Sequence, residues 1–141
     1  MKVLFLDIDG VLNCQTTPGS TFRKLSPVLI ERLDRVLDAT NAQVVLSSTW
    51  RFAGVESVQK TLREAGMRNW AKIIDGTPRD LGDVIRGREI GAWLTKHPEV
   101  KQFAIVDDDW DMGSLLHRLV HTDWVHGLTE KDAAELIRML R

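Results

Sequence analysis

Four apolar residues, Val3-Leu4-Phe5-Leu6, run without a break into Asp7-Ile8-Asp9-Gly10. Such a run predicts a strand buried on both faces, as a parallel sheet between helix layers requires. Carboxylates at the end of such a strand are hard to explain by stability. Near the sheet core they repel one another and lose hydration. A metal ion would relieve both penalties. Gly10 lets the chain turn sharply and brings the backbone close to a ligand. The competing reading is a strand followed by an ordinary acidic turn, since turns favour Asp and Gly.

The rest of the chain supports the metal reading. Ser26-Pro27 reads as a helix start, Leu29, Leu33, Val36 and Leu37 form one stripe, and Asn41-Ala42 ends it. Val44 to Leu46 is a second buried strand that empties into Ser47-Ser48-Thr49-Trp50-Arg51. A helix is predicted over Gly54 to Ala65, closed by Gly66, and a short third strand over Ala71 to Ile74. Cys14 to Lys24 and Asp75 to Asp83 read as loops. A further helix begins between Asp83 and Arg88, carries Val84, Ile85, Ile90, Trp93 and Leu94, and ends before His97-Pro98. Gln102 to Val106 is a fourth strand, ending in Asp107-Asp108-Asp109-Trp110-Asp111. A short helix over Met112 to Leu116, a weak strand over Leu119 to Thr122 and a capped helix from Thr129 to about Leu140 complete the pattern. That last helix turns Ala133, Leu136, Ile137 and Leu140 inward.

Alternating strands and helices predict an open α/β sheet, in which ligands sit beyond the carboxyl ends of the strands. Separate strands deliver Asp7 and Asp9, Ser47 and its neighbours, and Asp107 and Asp108 to that edge. The 141 residues suit one domain, 1–141. A net charge of −1 gives no global field for collecting nucleic acid. Cys14 is the lone cysteine, which excludes an internal disulfide and fits a reducing, cytoplasmic setting. The first apolar run is too short and too soon acidic for a signal peptide or membrane span.

Carboxylate oxygens are hard ligands that suit Mg²⁺. Hydroxyls and backbone N–H groups at strand ends bind phosphate oxygens, and Arg adds charge where a phosphoryl group gathers it. The set suits phosphoryl transfer, with Asp7 as covalent nucleophile and Asp9 as general acid and base.

Asp-Ile-Asp-Gly-Val-Leu, Val44-Val45-Leu46-Ser47 and Phe103-Ala104-Ile105-Val106-Asp107-Asp108 resemble, in order, the first, second and fourth motifs of the haloacid dehalogenase (HAD) superfamily of phosphohydrolases. Ser-Ser-Thr-Trp-Arg, Thr-Pro, Arg-Gly-x-Glu-Ile and Asp-Asp-Asp resemble, more narrowly, the HAD domain of Swiss-army-knife RNA repair proteins. The resemblance implies a three-layer Rossmann-like fold: a parallel sheet of about five strands with helices on both faces. It implies that Asp7 forms an aspartyl-phosphate and binds Mg²⁺, that Asp9 is the acid/base and lends a backbone carbonyl to the metal, and that Ser47 bonds the phosphoryl group. Asp107 is the implied further metal ligand with Asp108 beside it, although Asp107 to Asp111 also fits the acid-x-x-x-acid form. The third motif supplies a cation: Arg86 aligns best and Arg88 is the alternate. Too little chain lies between motifs for a sizeable cap, so the active site is expected to be open. By analogy with the repair proteins, the substrate is a phosphorylated nucleic-acid end.

Several residues carry competing expectations. Gly10, Ser48, Arg51 and Arg88 are candidate substrate contacts; Ser48, Thr49 and Arg51 equally suit caps for the following helix. Trp110 is expected to pack rather than stack on a base, and Trp50, Trp70, Trp93 and Trp124 to serve core or interface. His117 and His121 share a face but have no third ligand nearby, and Cys14 reads as an inert, partly buried thiol. The alternatives to nucleic-acid end processing are a small-molecule or phosphoprotein phosphatase and a catalytically silent binding module. A receiver domain fits poorly, because receivers place the acid pair first and a lone acid later. The expected assembly is a monomer or small homo-oligomer.

Overall fold

In the computed structural model, which describes residues 1–15, 17, 24–79 and 85–141, the first apolar run does become a central strand. It is β1 (Lys2–Leu6), and Val3, Leu4, Phe5 and Leu6 are all 0% exposed. The chain continues through α1 (Pro27–Thr40), β2 (Gln43–Leu46), α2 (Val55–Glu64), β3 (Ile73–Gly76), α3 (Arg86–Thr95), β4 (Gln102–Asp107), β5 (Leu119–His121) and α4 (Glu130–Met139). The strand order is β3-β2-β1-β4-β5, and every pairing is parallel.

Side chains alternate across a strand, so β1 feeds two cores. Leu4 and Leu6 pack with Ile30, Leu33 and Leu37 of α1, Val58 and Leu62 of α2, and Ala133 and Leu136 of α4. Val3 and Phe5 face the other way, toward Ile90 and Trp93 of α3. The Phe5 and Trp93 rings meet edge to face, 5.5 Å apart. Helices therefore cover both faces, giving the expected three-layer α/β fold. From β1 the chain first moves outward to β2 and β3, then returns to the opposite side of β1 at β4. Right-handed crossovers in opposite directions put their helices on opposite faces, as seen for α1 and α2 against α3. The switch in direction falls between β1 and β4, where an open α/β sheet leaves a crevice at its carboxyl edge.

Local signals set most boundaries. Ser26 Oγ accepts from Leu29 N at 3.3 Å, and Asn41 closes α1 in the left-handed conformation at φ 56°. Thr129 and Asp132 form the reciprocal capping box of α4. Four expectations shift. A 3-10 turn occupies Thr49–Ala53 before α2. The third strand starts at Ile73 rather than Ala71, because Trp70–Lys72 is a 3-10 turn. The segment near Met112 is also 3-10, over Gly113–Arg118. In α4, Ile137 is only half-buried, whereas Ala133, Leu136 and Leu140 are buried. Most of the expected loop from Cys14 to Lys24 lies outside the described residues, as do Val84 and Asp80 to Asp83 of the later loop. Between β2 and α3 the described residues add only two 3-10 turns, α2 and β3, so no cap-sized insertion is present among them. No helix among the described residues is long and apolar enough to cross a membrane.

Candidate active site

The sheet ends in an ordered row of polar residues. Each residue just past a strand donates its N–H to a carbonyl at the end of the next strand. Thr77 donates to Leu46 O (2.9 Å), Ser47 to Leu6 O (3.0 Å), Asp7 to Val106 O (3.1 Å) and Thr122 to Asp107 O (2.9 Å). The row Thr77, Ser47, Asp7, Asp107, Thr122 is buried throughout. Backbone pairing thus continues one residue beyond the apolar runs and fixes these side chains on rigid elements.

Asp7 and Asp107 face each other across the β1–β4 switch. Arg86 sits over both: its Nη1 lies 2.8 Å from Asp7 Oδ1 and 2.8 Å from Asp107 Oδ2. Arg86 is the first residue of α3, and α3 has no cap of its own at Ile85. The cap comes instead from Asp111, whose Oδ2 accepts from Arg86 N (3.2 Å) and whose carbonyl accepts from Gly87 N (3.0 Å). That approach requires glycine, since a Cβ on Gly87 would lie 2.1 Å from Met112 O. Arg88 is exposed further along α3, so Arg86 is the cation brought to the carboxylates. Asp111 Oδ2 is thereby committed to the helix start, while its Oδ1 is buried without a hydrogen-bond partner.

The third carboxylate is Asp108. Ligand oxygens of Asp7, Asp107 and Asp108 all lie within 4.8 Å of one another. Asp108 lies against Gly10, which holds φ +82°; a Cβ there would come 2.3 Å from Asp108 Oδ2. Burial pushes the Asp7 pKa up; Arg86 opposes that, and the charge of Asp108 adds to it. Asp107 is pushed up to about 8, first by burial and then by the charge of Asp7, again against the pull of Arg86. Burial disfavours the Arg86 cation too, but the charges of Asp7 and Asp107 outweigh it and raise its pKa. Three carboxylates against one guanidinium leave an excess of negative charge. An all-oxygen set with that excess fits a hard divalent cation such as Mg²⁺. Such an ion would replace the proton that burial otherwise favours on Asp107.

Asp9 points elsewhere. Its Oδ1 accepts from Asn13 Nδ2 (2.9 Å) and its Oδ2 from Trp50 Nε1 (3.1 Å). Asn13 Oδ1 in turn accepts from Gly10 N at 2.9 Å, which ties the turn after β1 to the carboxylate. The Asp9 side chain is therefore not part of the three-acid group. It borders a cleft of about 460 Å³, lined among the described residues by Asp9, Thr49, Trp50, Ala53, Ser57, Val58 and Thr61.

Ser47 is 1% exposed, and its Oγ has no hydrogen-bond partner; Thr77 Oγ1 is in the same condition. A buried hydroxyl without a partner is costly, which suits a site built to receive acceptor oxygens. The neighbouring candidates have other work. Ser48 Oγ accepts from Trp50 N at 3.1 Å and caps the 3-10 turn. Arg51 turns inward: it donates to Thr77 O, Ser47 O, Ser48 O and Glu89 Oε2 at 2.9, 3.3, 2.9 and 2.9 Å. Its guanidinium is thus engaged beneath the edge rather than presented at it.

Trp110 departs from the packing expectation. It is 63% exposed, and its ring stacks on His121 with centroids 3.7 Å apart. Asp108 and Asp109 beside it are exposed as well. His121 Nε2 lies 3.0 Å from Asp108 O, and His117 contacts Ser114 O, so the pair shares no ligand set. Trp93 is core, as expected, and Cys14 is buried. Asn13, Trp50 and Thr77 belong to this edge although sequence gave them no role in it. Asn13 sits four positions after Asp9, within reach of a turn. Trp50 and Thr77 are marked only by lying in the Ser-Ser-Thr-Trp-Arg and Thr-Pro motifs.

A family model described as the HAD domain in Swiss Army Knife RNA repair proteins matches residues 3–133. No curated protein matches the chain.

Proposed function

This chain belongs to the family of HAD domains found in Swiss Army Knife RNA repair proteins, and we propose that it is a Mg²⁺-dependent phosphatase acting on phosphorylated nucleic-acid ends. The observation that carries this reading is Asp7 at the sheet switch, held 2.8 Å from the Arg86 guanidinium and beside the unpartnered Ser47 hydroxyl. A nucleophilic carboxylate, a fixed cation and an unused donor around one point are what phosphoryl transfer needs from a protein.

In this reading an Asp7 oxygen attacks phosphorus, and the bond from phosphorus to the leaving oxygen breaks. Asp9 gives that oxygen its proton. Asp9 then takes a proton from water, which attacks phosphorus and frees inorganic phosphate and the Asp7 carboxylate. Trp50 and Asn13 hold Asp9 in place for both transfers. Arg86 and Ser47 bind the equatorial oxygens, where charge collects. Asp7, Asp107 and Asp108 would hold Mg²⁺, which supplies positive charge to the phosphoryl group when bound. Arg86 in this role makes Arg88 a surface cation. The absence of a cap-sized insertion among the described residues favours the end of a large molecule over a small substrate that needs enclosure.

The test is phosphate release with Mg²⁺ from 5′-phosphorylated oligonucleotides, 3′-phosphorylated oligonucleotides and an aryl phosphate, with Asp7→Asn as control. Release from an oligonucleotide that disappears in Asp7→Asn is the expected result. Release from the aryl phosphate alone would replace the nucleic-acid reading with a small-molecule one. No release from any substrate by folded protein would leave a binding module.

A further inference from the structure

The cleft beside Asp9 has no part in binding the phosphoryl group, yet it opens on the residue assigned to the leaving oxygen. We infer that it is the leaving-group site, and that it receives the uncharged terminal nucleoside of the phosphorylated end. The inference rests on the phosphatase reading for the role of Asp9.

Position is the first reason. A general acid must come within hydrogen-bond reach of the oxygen it protonates. Arg86, Asp107 and Asp108 group around Asp7, whereas the Asp9 carboxylate turns to Trp50 and Asn13. The leaving oxygen therefore lies on the Asp9 side, and the atoms attached to it continue into the space that Asp9 borders. That space is the cleft of about 460 Å³ between the Thr49–Ala53 turn and α2.

Chemistry is the second. Besides Asp9, the described lining is hydroxyl, indole and aliphatic: Thr49, Ser57, Thr61, Trp50, Ala53 and Val58. None of these is a cation. A leaving group carrying its own phosphate would enter beside the Asp9 charge with no cation among the described lining residues to balance it. A neutral group with several hydroxyls and a flat apolar ring matches the lining. Ser57 and Thr61 are four residues apart on one face of α2; the Thr61 hydroxyl donates to Ser57 O at 3.1 Å and so offers the cleft an acceptor. The volume lies within the range of small-ligand sites. A terminal nucleoside meets all these conditions, with the rest of the strand passing out through the open side.

The test fills the cleft from its exposed helix. Ser57→Trp and Thr61→Trp are made, with Thr61→Ser as the conservative partner. The readout is the ratio of kcat/KM for 5′- and for 3′-phosphorylated oligonucleotides to kcat/KM for acetyl phosphate, whose leaving group is small. The ratio is expected to fall about tenfold or more in the Trp variants and to hold in Thr61→Ser. A second readout needs no turnover. Methyl NMR signals of Ala53 and Val58 should shift when adenosine is added to the wild type and stay put in Thr61→Trp. Unchanged ratios with no methyl shifts would overturn the assignment while leaving the phosphatase intact. Methyl shifts with no phosphate release from any substrate would overturn the phosphatase reading and the leaving-group role with it, leaving a nucleoside-binding cleft. A hexose 6-phosphate hydrolysed as well as the oligonucleotides, and equally impaired by Thr61→Trp, would overturn the nucleoside as occupant.

Discussion

Replacing Glu89 by Gln should destabilise the protein by about 3 kcal/mol, although Glu89 touches none of the three site carboxylates. The reason is Arg51. The two side chains are 5% and 3% exposed and meet at 2.9 Å. Burial works to lower the Arg51 pKa, and the Glu89 charge opposes it. Arginine does not give up its proton in proteins, so losing Glu89 strands a cation in the interior. Breaking a buried pair costs about 3–5 kcal/mol, and the lower end applies because Gln keeps an acceptor for the guanidinium. Arg51→Met should cost more. It takes the facing cation from the buried Glu89 and also removes donors from the carbonyls of Thr77, Ser47 and Ser48, at about 1 kcal/mol each. Adding Glu89→Leu to Arg51→Met then removes a buried anion that has lost its facing cation and should recover about 2 kcal/mol. A domain with total stability of about 5–15 kcal/mol feels each of these changes. Urea unfolding with unchanged m values measures them. A cost below about 1 kcal/mol for Glu89→Gln, the range of an exposed pair, would refute the reasoning. So would a double variant less stable than Arg51→Met alone.

Three other outcomes follow from the site. Gly10→Ala forces a Cβ to within 2.3 Å of Asp108 Oδ2 at φ +82°, so it should cost about 1–3 kcal/mol and weaken Mg²⁺ binding in calorimetric titration; unaltered binding would mean that Asp108 is not a ligand. Trp50→Phe keeps a ring but deletes the N–H to Asp9, and should lower kcat about tenfold with a smaller change in KM and a shifted pH–rate profile; an unchanged profile would remove Trp50 from the positioning of Asp9. Without divalent cations, folded Asp107 keeps its proton up to about 8 while the unfolded residue loses it near 3.8. Between those values the folded state binds more protons, so stability falls as pH rises. Melting in EDTA should therefore give a lower Tm at pH about 8.5 than at about 5.5, with Mg²⁺ restoring more of it at the higher pH and Asp107→Asn flattening the slope; a Tm in EDTA that rises across this window would contradict the raised pKa.

What could be read from the sequence divides along the range of the forces involved. Val3–Leu6 and Val44–Leu46 announce themselves because burial on both faces demands uninterrupted apolar residues. Caps at Ser26 and Thr129 are legible because the bonding groups lie three residues apart. The third strand is less legible. Asp75 and Gly76 favour turns by composition, and only pairing with Val45 and Leu46 of β2 draws them into the sheet. That pairing includes a register irregularity at Val44/Val45, which no periodicity foretells.

The carboxylates follow the same logic. Asp7 and Asp107 were visible because a charge next to a fully apolar strand is expensive unless something uses it. The choice between Arg86 and Arg88 rests in the sequence on the family motif alone, which prefers Arg86, since both lie at the start of the same helix. Asp111 decides it by capping α3 from another segment, which makes Arg86 the first helical residue and aims it at the acids. Arg51 shows the opposite outcome. A cation among strand-end hydroxyls reads as a phosphate ligand, yet Glu89, thirty-eight positions later, draws it inward. Its place beneath the edge still serves the site, because it bonds the carbonyls of Ser47 and Thr77, whose hydroxyls are the unpartnered ones. The polar row, which includes the carboxylates Asp7 and Asp107, is thus backed at Ser47 and Thr77 by a buried ion pair. A stability defect at Glu89 and an activity defect at Ser47 should therefore be coupled, whereas Glu89 and the cleft residue Thr61, which the ion pair does not hold, should behave independently.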